Sequence, residues 1–185
     1  MFKGPREEKN GRRFSIIIET ERLTLREMIQ EDLDSLREIL QDEETMVAYE
    51  GAFTDEETQK WLDWQRTLYR EKGYGLWTVI LKENGAMIGQ CGLTIQTWKD
   101  QRVLEIGYLF NRSYWHKGYA TEAAKACKEY AFKILKAPEV CSIIRETNIA
   151  SQNVAIRNGM KKKDTWTKHY RGVDMPHSRF VASRD

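Results

Sequence analysis

Hydrophobic positions recur with strand or helix periods along most of the chain after residue 15, and this pattern predicts eleven elements. Runs rich in β-branched and aromatic residues predict strands, whereas apolar residues three and four apart predict helices. The predicted strands are 16–26 (interrupted near residue 20), 76–81, 87–95, 103–110, 140–145, 161–169 and 175–182. The predicted helices are 32–40, one opening at residue 54, 118–135, and a short one from 151 to 159. Because strands and helices alternate irregularly, the fold class is α/β (α+β).

Local signals fix several of these boundaries. Thr54 and Glu57 form a capping box, in which the hydroxyl and the carboxylate satisfy each other's free backbone donors. Asn84-Gly85 favours a tight hairpin between two strands. In segment 118–135, the helical spacing of the apolar residues predicts the helix: Ala120, Ala123, Ala124, Cys127, Ala131 and Ile134.

The chain is predicted to be one domain with a short leader. A length of 185 residues suits a single domain, and the hydrophobic content of 41% is enough to form a core. Residues 1–14 are mostly polar, so we predict a flexible leader there and a single domain over 15–185.

Charge is nearly balanced overall but unevenly distributed. The net charge is +2, which argues against bulk binding to nucleic acid or anionic lipid. Segment 19–72 carries 16 acidic and 7 basic residues, whereas segment 157–185 carries 8 basic and 3 acidic ones. One side of the molecule could therefore favour cations and another phosphate, or both could be plain solvated surfaces.

The cysteines and the apolar runs suggest a cytoplasmic protein. Cys91, Cys127 and Cys141 are widely spaced and odd in number, so neither a disulfide framework nor a zinc cage is predicted. His169 and His177 lack ligand-spaced partners, so no metal site is expected. No run is long and apolar enough for a membrane span or a signal peptide, so no membrane partner is expected.

The stretch from residue 105 to residue 123 carries the most chemical information, because a strand passes through a short loop directly into a helix. Such a loop directs unpaired backbone N–H groups at one point, and the helix dipole reinforces them. Gly118 and Ala120 are small enough to let an anion approach, while Lys117 and Arg112 add positive charge. A simple tight turn at a helix start remains an alternative.

Three sequence blocks resemble the GNAT superfamily of N-acetyltransferases, in the branch related to ribosomal-protein-alanine acetyltransferases. Trp115-His-Lys-Gly-Tyr-Ala resembles the loop that binds the pyrophosphate of acyl-CoA. Asn148-Ile-Ala-Ser-Gln-Asn-Val, followed by Gly159-Met, resembles the second block, and Glu19-Thr-Glu-Arg-Leu-Thr-Leu-Arg resembles the opening. The resemblance covers about residues 16–182 and implies a mixed, mostly antiparallel sheet with splayed central strands, flanked by about four helices.

The resemblance also implies how acetyl-CoA, a co-substrate, is held. The pantetheine arm pairs with the backbone of the strand that ends at residue 110, like an added strand. The implied cofactor-binding residues are Tyr108, Leu109, Phe110, His116, Lys117, Gly118, Tyr119, Ala120, Thr121, Asn148 and Asn153. Two of the loop positions depart from the superfamily pattern, Trp115 and His116. We expect the side chain at position 116 to be tolerated if its φ angle is negative.

Acetyl transfer to an amine needs a base, a donor for the oxyanion and an acid for the departing thiolate. Glu105 is the candidate base, although a salt bridge at the strand end would also explain it. A backbone N–H near Leu109, turned inward by a bulge, is the candidate oxyanion donor. Ala155 stands where many superfamily members have the acid Tyr, so Ser151 is the candidate acid, with Tyr108 a weaker one. Ser151 could also serve as a helix N-cap.

The sequence thus predicts direct acetyl transfer from acetyl-CoA to a primary amine, either a protein N-terminus or a small molecule. The acidic segment 19–72 favours a cationic acceptor, which could be a protein N-terminus, a polyamine or an aminoglycoside-like drug. Four aromatic residues could line the acceptor side or belong to the core: Trp61, Trp64, Tyr69 and Trp77. The alternative is a non-catalytic acyl-CoA-binding sensor, and a weaker one is an RNA-associated protein. Monomer and homodimer are both left open.

Overall fold

The computed structural model describes residues 6–9, 12–49, 51–170 and 172–184. For residues 6–9, 12–14, 48 and 170 it describes the backbone only. It contains nine strands: β1 (Arg6–Lys9), β2 (Arg12–Glu19), β3 (Leu23–Arg26), β4 (Leu76–Leu81), β5 (Met87–Trp98), β6 (Gln101–Phe110), β7 (Glu139–Arg145), β8 (Lys161–Tyr170) and β9 (Val173–Ser183). The four α-helices are α1 (Leu33–Leu40), α2 (Asp55–Lys72), α3 (Tyr119–Lys133) and α4 (Ile149–Arg157). These elements confirm the predicted fold class.

The sheet has the order β1-β2-β3-β4-β5-β6-β7-β9-β8, with β1 extending an eight-stranded sheet through its pairing with β2. Every pairing is antiparallel except that of β6 with β7. The apolar run interrupted near Thr20 becomes two strands, β2 and β3, that pair with each other. This parallel pair, β6 with β7, lies inside the sheet and forms the centre of the candidate site.

Part of the predicted leader is assigned to strands. Residues 6–9 and 12–14 lie in β1 and β2, whereas residues 1–5, 10 and 11 fall outside the described ranges. The expected flexibility of segment 1–14 and the domain boundary after it stay predictions.

One face of the sheet packs against α3 through small side chains. Ala123, Ala124 and Cys127 are buried on this helix, and its Tyr130 ring meets Trp77 of β4 edge-on, with 5.2 Å between ring centroids. Short side chains allow α3 to approach the strands closely, and this packing fixes the position of its N-terminus relative to the sheet. The opposite face is covered by α1 and α2. The buried residues Leu36 of α1 and Leu62 of α2 belong to a second apolar cluster on this face.

A buried ion pair ties α1 to this second face. The Arg26 guanidinium donates to both carboxylate oxygens of Asp32 at 2.6 and 2.7 Å, and Thr78 Oγ1 donates to Asp32 at 2.9 Å. The predicted capping box at α2 is also present, since Thr54 accepts from the Glu57 amide and Glu57 accepts from the Thr54 amide. Among the described helices, none is long and apolar enough to cross a membrane.

Candidate active site

The loop before α3 presents a cluster of free backbone donors. Gly118 is the N-cap residue, with φ +82°, and no side chain caps the helix. The first helical hydrogen bond runs from the Glu122 amide to the Gly118 carbonyl at 3.1 Å. Within the described ranges, the amides from His116 to Thr121 therefore have no hydrogen-bond partner. Together with the helix dipole, they form a site suited to an anion.

The backbone of His116 differs from expectation. Its φ angle is +61°, in the left-handed region, so the negative φ that we set as the condition for tolerating this side chain is not present. Histidine is one of the residue types enriched in this region, so the side chain is accommodated with little strain. The left-handed turn continues at Gly118, where a Cβ atom would lie 3.5 Å from the Arg22 guanidinium.

A polar network, which we call the Arg22 clamp, fixes this loop from behind and was not predicted from the sequence. Arg22 Nε–H donates to Glu122 Oε2 at 2.7 Å, and the Arg22 amide donates to Oε1 at 3.0 Å. Thr20 Oγ1–H donates to the same carboxylate at 2.6 Å. Arg22 also donates to the Lys117 carbonyl at 3.0 Å and lies over the Tyr119 ring, 4.5 Å from its centroid.

The clamp has an electrostatic consequence for the loop. Partial burial alone would raise the pKa of Glu122, but the bonds from Thr20 and Arg22 lower it below its usual value. Glu122 is thus ionised in the first turn of α3, and Arg22 neutralises its charge. An anion approaching the amides is then not repelled by this carboxylate.

The central strands β6 and β7 diverge after one residue pair, Glu105 with Cys141, and we call this opening the fork. Side chains occupy the first backbone groups beyond the pair. Ser142 Oγ–H donates to the Ile106 carbonyl at 3.0 Å, and the Ile143 amide donates to Glu105 Oε1 at 3.1 Å. The fork confirms the expected splay and leaves one edge of β6 open toward β7.

Glu105 lies at the base of the fork and is half-buried. Burial raises its pKa from 4.5 to about 7, while the Ile143 amide and the positive charge of Lys168 act in the opposite direction. The carboxylate also acts on Tyr49, whose hydroxyl pKa is raised mainly by burial and further by this negative charge. A carboxylate with a pKa near neutrality can take and return a proton at physiological pH.

The bulge expected near Leu109 is not found. The pairing of β5 with β6 runs without a shift from Gly89 opposite Phe110 to Trp98 opposite Gln101. A bulge is unnecessary because the fork already frees one edge of β6. Tyr108 and Leu109 lie on this strand and point to opposite faces, since Tyr108 pairs with buried Cys91 on the α3 side.

Helix α4 begins at Asn148, not at Ser151. Asn148 is the N-cap residue, and its Oδ1 accepts from the Ser151 amide at 3.0 Å. The predicted N-cap role of Ser151 is therefore wrong, because Asn148, three residues earlier, already caps the helix. Ser151 is half-buried, and its carbonyl accepts from the Tyr108 hydroxyl at 3.1 Å. This bond joins α4 to the strand beside the fork, whereas Asn153 is exposed.

The cysteines are free and buried. Cys91 and Cys127 lie with their sulfur atoms 3.5 Å apart, and burial raises the pKa of the Cys127 thiol. Burial likewise raises the pKa of Cys141 to about 12. Buried thiols of this kind behave as small apolar groups. In the part of the chain that the structure describes, no group of three or more His, Cys, Asp or Glu side chains is placed to hold a metal ion.

Comparison with known proteins supports this geometry. The family described as the acetyltransferase (GNAT) domain matches residues 22–161. The chain is 31% identical over 152 residues to YnaD of Bacillus subtilis strain 168, named an uncharacterized N-acetyltransferase, with 82% of this chain and 86% of YnaD covered. A GNAT-family acetyltransferase structure from Bacillus anthracis has a TM-score of 0.77 and 25% identity, covering 92% and 98% of the two chains. RimL, a ribosomal L7/L12 alpha-N-protein acetyltransferase in complex with coenzyme A, shares the fold with a TM-score of 0.73 and 17% identity, covering 91% and 97%.

Proposed function

The chain belongs to the family of GNAT acetyltransferases, which use acetyl-CoA, and we propose that it transfers the acetyl group directly to the nitrogen of a primary amine. The acceptor class includes protein N-termini and small-molecule amines. The observation that carries this proposal is the coincidence of the fork with the unpartnered amides before α3. One feature accepts an extended chain between two strands, and the other accepts a diphosphate at one end of it.

The residues present fit this co-substrate. The amides from His116 to Thr121 would hold its diphosphate, with Lys117 adding positive charge and Gly118 leaving room. The backbone from Tyr108 to Phe110 would pair with its pantetheine arm along the open edge of β6. Asn148 would contact the same arm through its amide nitrogen, since its oxygen caps α4. When bound, acetyl-CoA supplies an acetyl group activated as a thioester.

The protein's own groups would move the protons. Glu105 would accept a proton from the incoming ammonium, directly or through a water, because its raised pKa makes it a base of suitable strength. A backbone N–H of β6 near Leu109 would stabilise negative charge on the carbonyl oxygen. The Ser151 hydroxyl would protonate the departing thiolate while regaining a proton from the amine nitrogen of the tetrahedral intermediate, and Tyr108 would position Ser151 through its 3.1 Å bond. These steps transfer the acetyl group without forming a covalent bond between the substrate and the enzyme.

The three buried free cysteines support a reducing compartment such as the cytoplasm as the site of action.

Two measurements test the proposed function. Isothermal titration with acetyl-CoA measures binding, and release of the coenzyme A thiol over an amine panel measures transfer. We expect binding and, with at least one amine, thiol release well above hydrolysis. Binding without release from every amine would instead support an acyl-CoA sensor. Salt-sensitive RNA affinity comparable to that for acetyl-CoA would support an RNA-associated role.

A further inference from the structure

Gly107 leaves a gap in the row of side chains that β6 presents toward α1 and α2. Residues 105, 107 and 109 point to one face of the sheet, because the pairing of β5 with β6 has no shift along this strand. Leu109 identifies this face, since it packs against the apolar cluster of α1 and α2. The candidate base Glu105 and Leu109 therefore stand on either side of a position that has no side chain.

Neither the backbone nor the packing requires glycine at position 107. Its φ angle lies outside the left-handed region, and a Cβ atom added there would meet one atom of the described residues within 4 Å, Leu76 Cδ2 at 3.4 Å. At Gly92, opposite it on β5, a Cβ atom would instead overlap the Gly75 carbonyl oxygen, so close packing explains that glycine. Gly107 is half-buried, so the space beside it is open to a ligand.

The Glu105 carboxylate leans toward this gap. Glu105 pairs with Cys141 across the fork, but its Oε1 accepts from the Ile143 amide at 3.1 Å, two residues further along β7. Because β6 and β7 run parallel, this bond draws the carboxylate along the fork toward the level of Gly107. A side chain at position 107 would therefore stand between the carboxylate and the open part of the fork.

The thioester of the co-substrate would reach the same level of β6. The amides proposed to hold the diphosphate follow the C-terminal end of β6, so the pantetheine arm would run back from there past Phe110 and Tyr108. Its thioester end would then lie next to Gly107. A nitrogen that attacks the carbonyl carbon and gives its proton to Glu105 has to lie between these two groups. The carbon that carries this nitrogen is thereby placed over Gly107.

We infer that Gly107 determines acceptor specificity, and that the acceptor is an α-branched primary amine, whose nitrogen-bearing carbon carries two further carbon substituents and lies over Gly107. This inference rests on the proposed function and narrows its acceptor class. An unbranched amine would leave the gap partly empty, whereas one additional carbon substituent on the nitrogen-bearing carbon would fill it with contacts. The gap suits a branch of about methyl size, because Leu76 limits it at 3.4 Å from the position of the missing Cβ atom.

The test moves one methyl group between the acceptor and the enzyme. Two pairs of amines differ by a single methyl on the nitrogen-bearing carbon: glycinamide with L-alaninamide, and benzylamine with 1-phenylethylamine. Release of the coenzyme A thiol at saturating acetyl-CoA gives kcat/KM for each amine. In the wild type, we expect the branched amine of a pair to react at least as well as the unbranched one. In Gly107→Ala, the ratio of branched to unbranched kcat/KM should fall at least tenfold, because the new Cβ atom occupies the space of the branch.

Further measurements separate a loss of space from a loss of structure. Gly107→Ala should bind acetyl-CoA within twofold of the wild type by isothermal titration, and its melting temperature should not fall, because glycine weakens a strand interior. Val103→Ile is the matched control. It adds one carbon atom on the same face of β6 but before the fork, so it should leave both ratios unchanged. Gly107→Ser is a second variant that should lower the ratio in the same way if the alanine variant is unstable.

The outcomes distinguish this inference from the proposed function. If no amine of a wider panel releases thiol above hydrolysis, the proposed function fails; if only these two pairs fail, the best amine of the panel and its α-methyl homologue replace them. If amines are acetylated but the wild type disfavours the branched ones by more than tenfold, the inference is overturned while the function stands, and this comparison needs no variant. An unchanged ratio in a folded Gly107→Ala also overturns it. If that variant instead loses activity with propionyl-CoA relative to acetyl-CoA, the acyl chain and not the acceptor occupies the gap.

Discussion

Glu105→Gln should reduce activity and increase stability at the same time. The pKa of Glu105 rises from 4.5 to about 7 on folding, so its charged form is disfavoured in the native state. At 1.36 kcal/mol per pKa unit, this shift corresponds to about 3 kcal/mol. Since Glu105 is only half-buried, water reduces the effect, and we expect about 1–3 kcal/mol.

The sign of the pH dependence follows from the direction of the shift. A raised pKa means that the native state binds the proton more tightly than the unfolded chain does. The contribution of Glu105 is therefore fully favourable below pH 4.5 and is lost as the pH rises through about 7. Glutamine resembles the protonated acid and keeps an oxygen for the Ile143 amide. The variant should match the wild type near pH 4.5 and be about 1–3 kcal/mol more stable at pH 8.

Activity should change in the opposite direction. Losing a general base typically lowers kcat by about 10²–10⁴-fold. The wild-type pH profile of kcat/KM should rise through about pH 7, whereas the variant should gain activity only at higher pH, where the free amine loses its own proton.

Urea unfolding at pH 4.5 and 8 and thiol release across the pH range measure both effects. Glu139→Gln, at the start of β7 and paired with Lys163, is the control and should change neither. A Glu105→Gln variant that keeps the limb near pH 7 would refute the assignment of Glu105 as the base. A variant less stable than the wild type at pH 8 would refute the burial argument.

Three further substitutions probe the cofactor side. Glu122→Gln removes the ion pair of the Arg22 clamp. Because Arg22 is partly exposed, we expect a loss of about 1 kcal/mol in the binding free energy of acetyl-CoA, which isothermal titration would record as a roughly fivefold weaker affinity. Gly118→Ala, at φ +82°, should cost about 1–2 kcal/mol of stability and weaken binding at least tenfold, whereas Gly85→Ala, at φ +72° in a distant hairpin turn, should cost similar stability with unchanged binding. Ser151→Ala should change the free energy of unfolding by less than about 0.5 kcal/mol yet lower kcat, because Asn148 already caps α4; equal losses of stability and kcat would contradict the acid role.

Local chemistry made much of the fold predictable from sequence. The capping box at Thr54 and the Asn84-Gly85 turn involve groups within four residues of each other, so their signals are complete in the sequence. The helical spacing of the apolar residues in α3 is a local signal of the same kind. The order of the predicted elements was confirmed for the same reason, although strand ends shifted by up to four residues and β1 was not predicted.

The structure differs from the sequence predictions where contacts between residues distant in sequence determine the local conformation. The Arg22 clamp joins residues about 100 positions apart, and its only trace in the sequence was an opening motif of unknown role. Ser151 resembled an N-cap because Ser commonly caps helices, but the helix begins three residues earlier, where the Asn148 side chain accepts from the Ser151 amide. The left-handed backbone of His116 follows from the clamped loop. Of the four aromatic residues that the sequence left open between the acceptor side and the core, only Trp77 is fully buried.

The fork divides the sheet into two halves, which are joined by a single residue pair, by two side-chain hydrogen bonds beyond it and by the helices that span them. A molecule that fills such a gap completes the hydrogen bonding of the protein interior, so it acts as a structural part as well as a reactant. A ligand at a hundred times its dissociation constant adds about 2.7 kcal/mol to folding. We therefore expect bound acetyl-CoA to raise the free energy of unfolding of this protein.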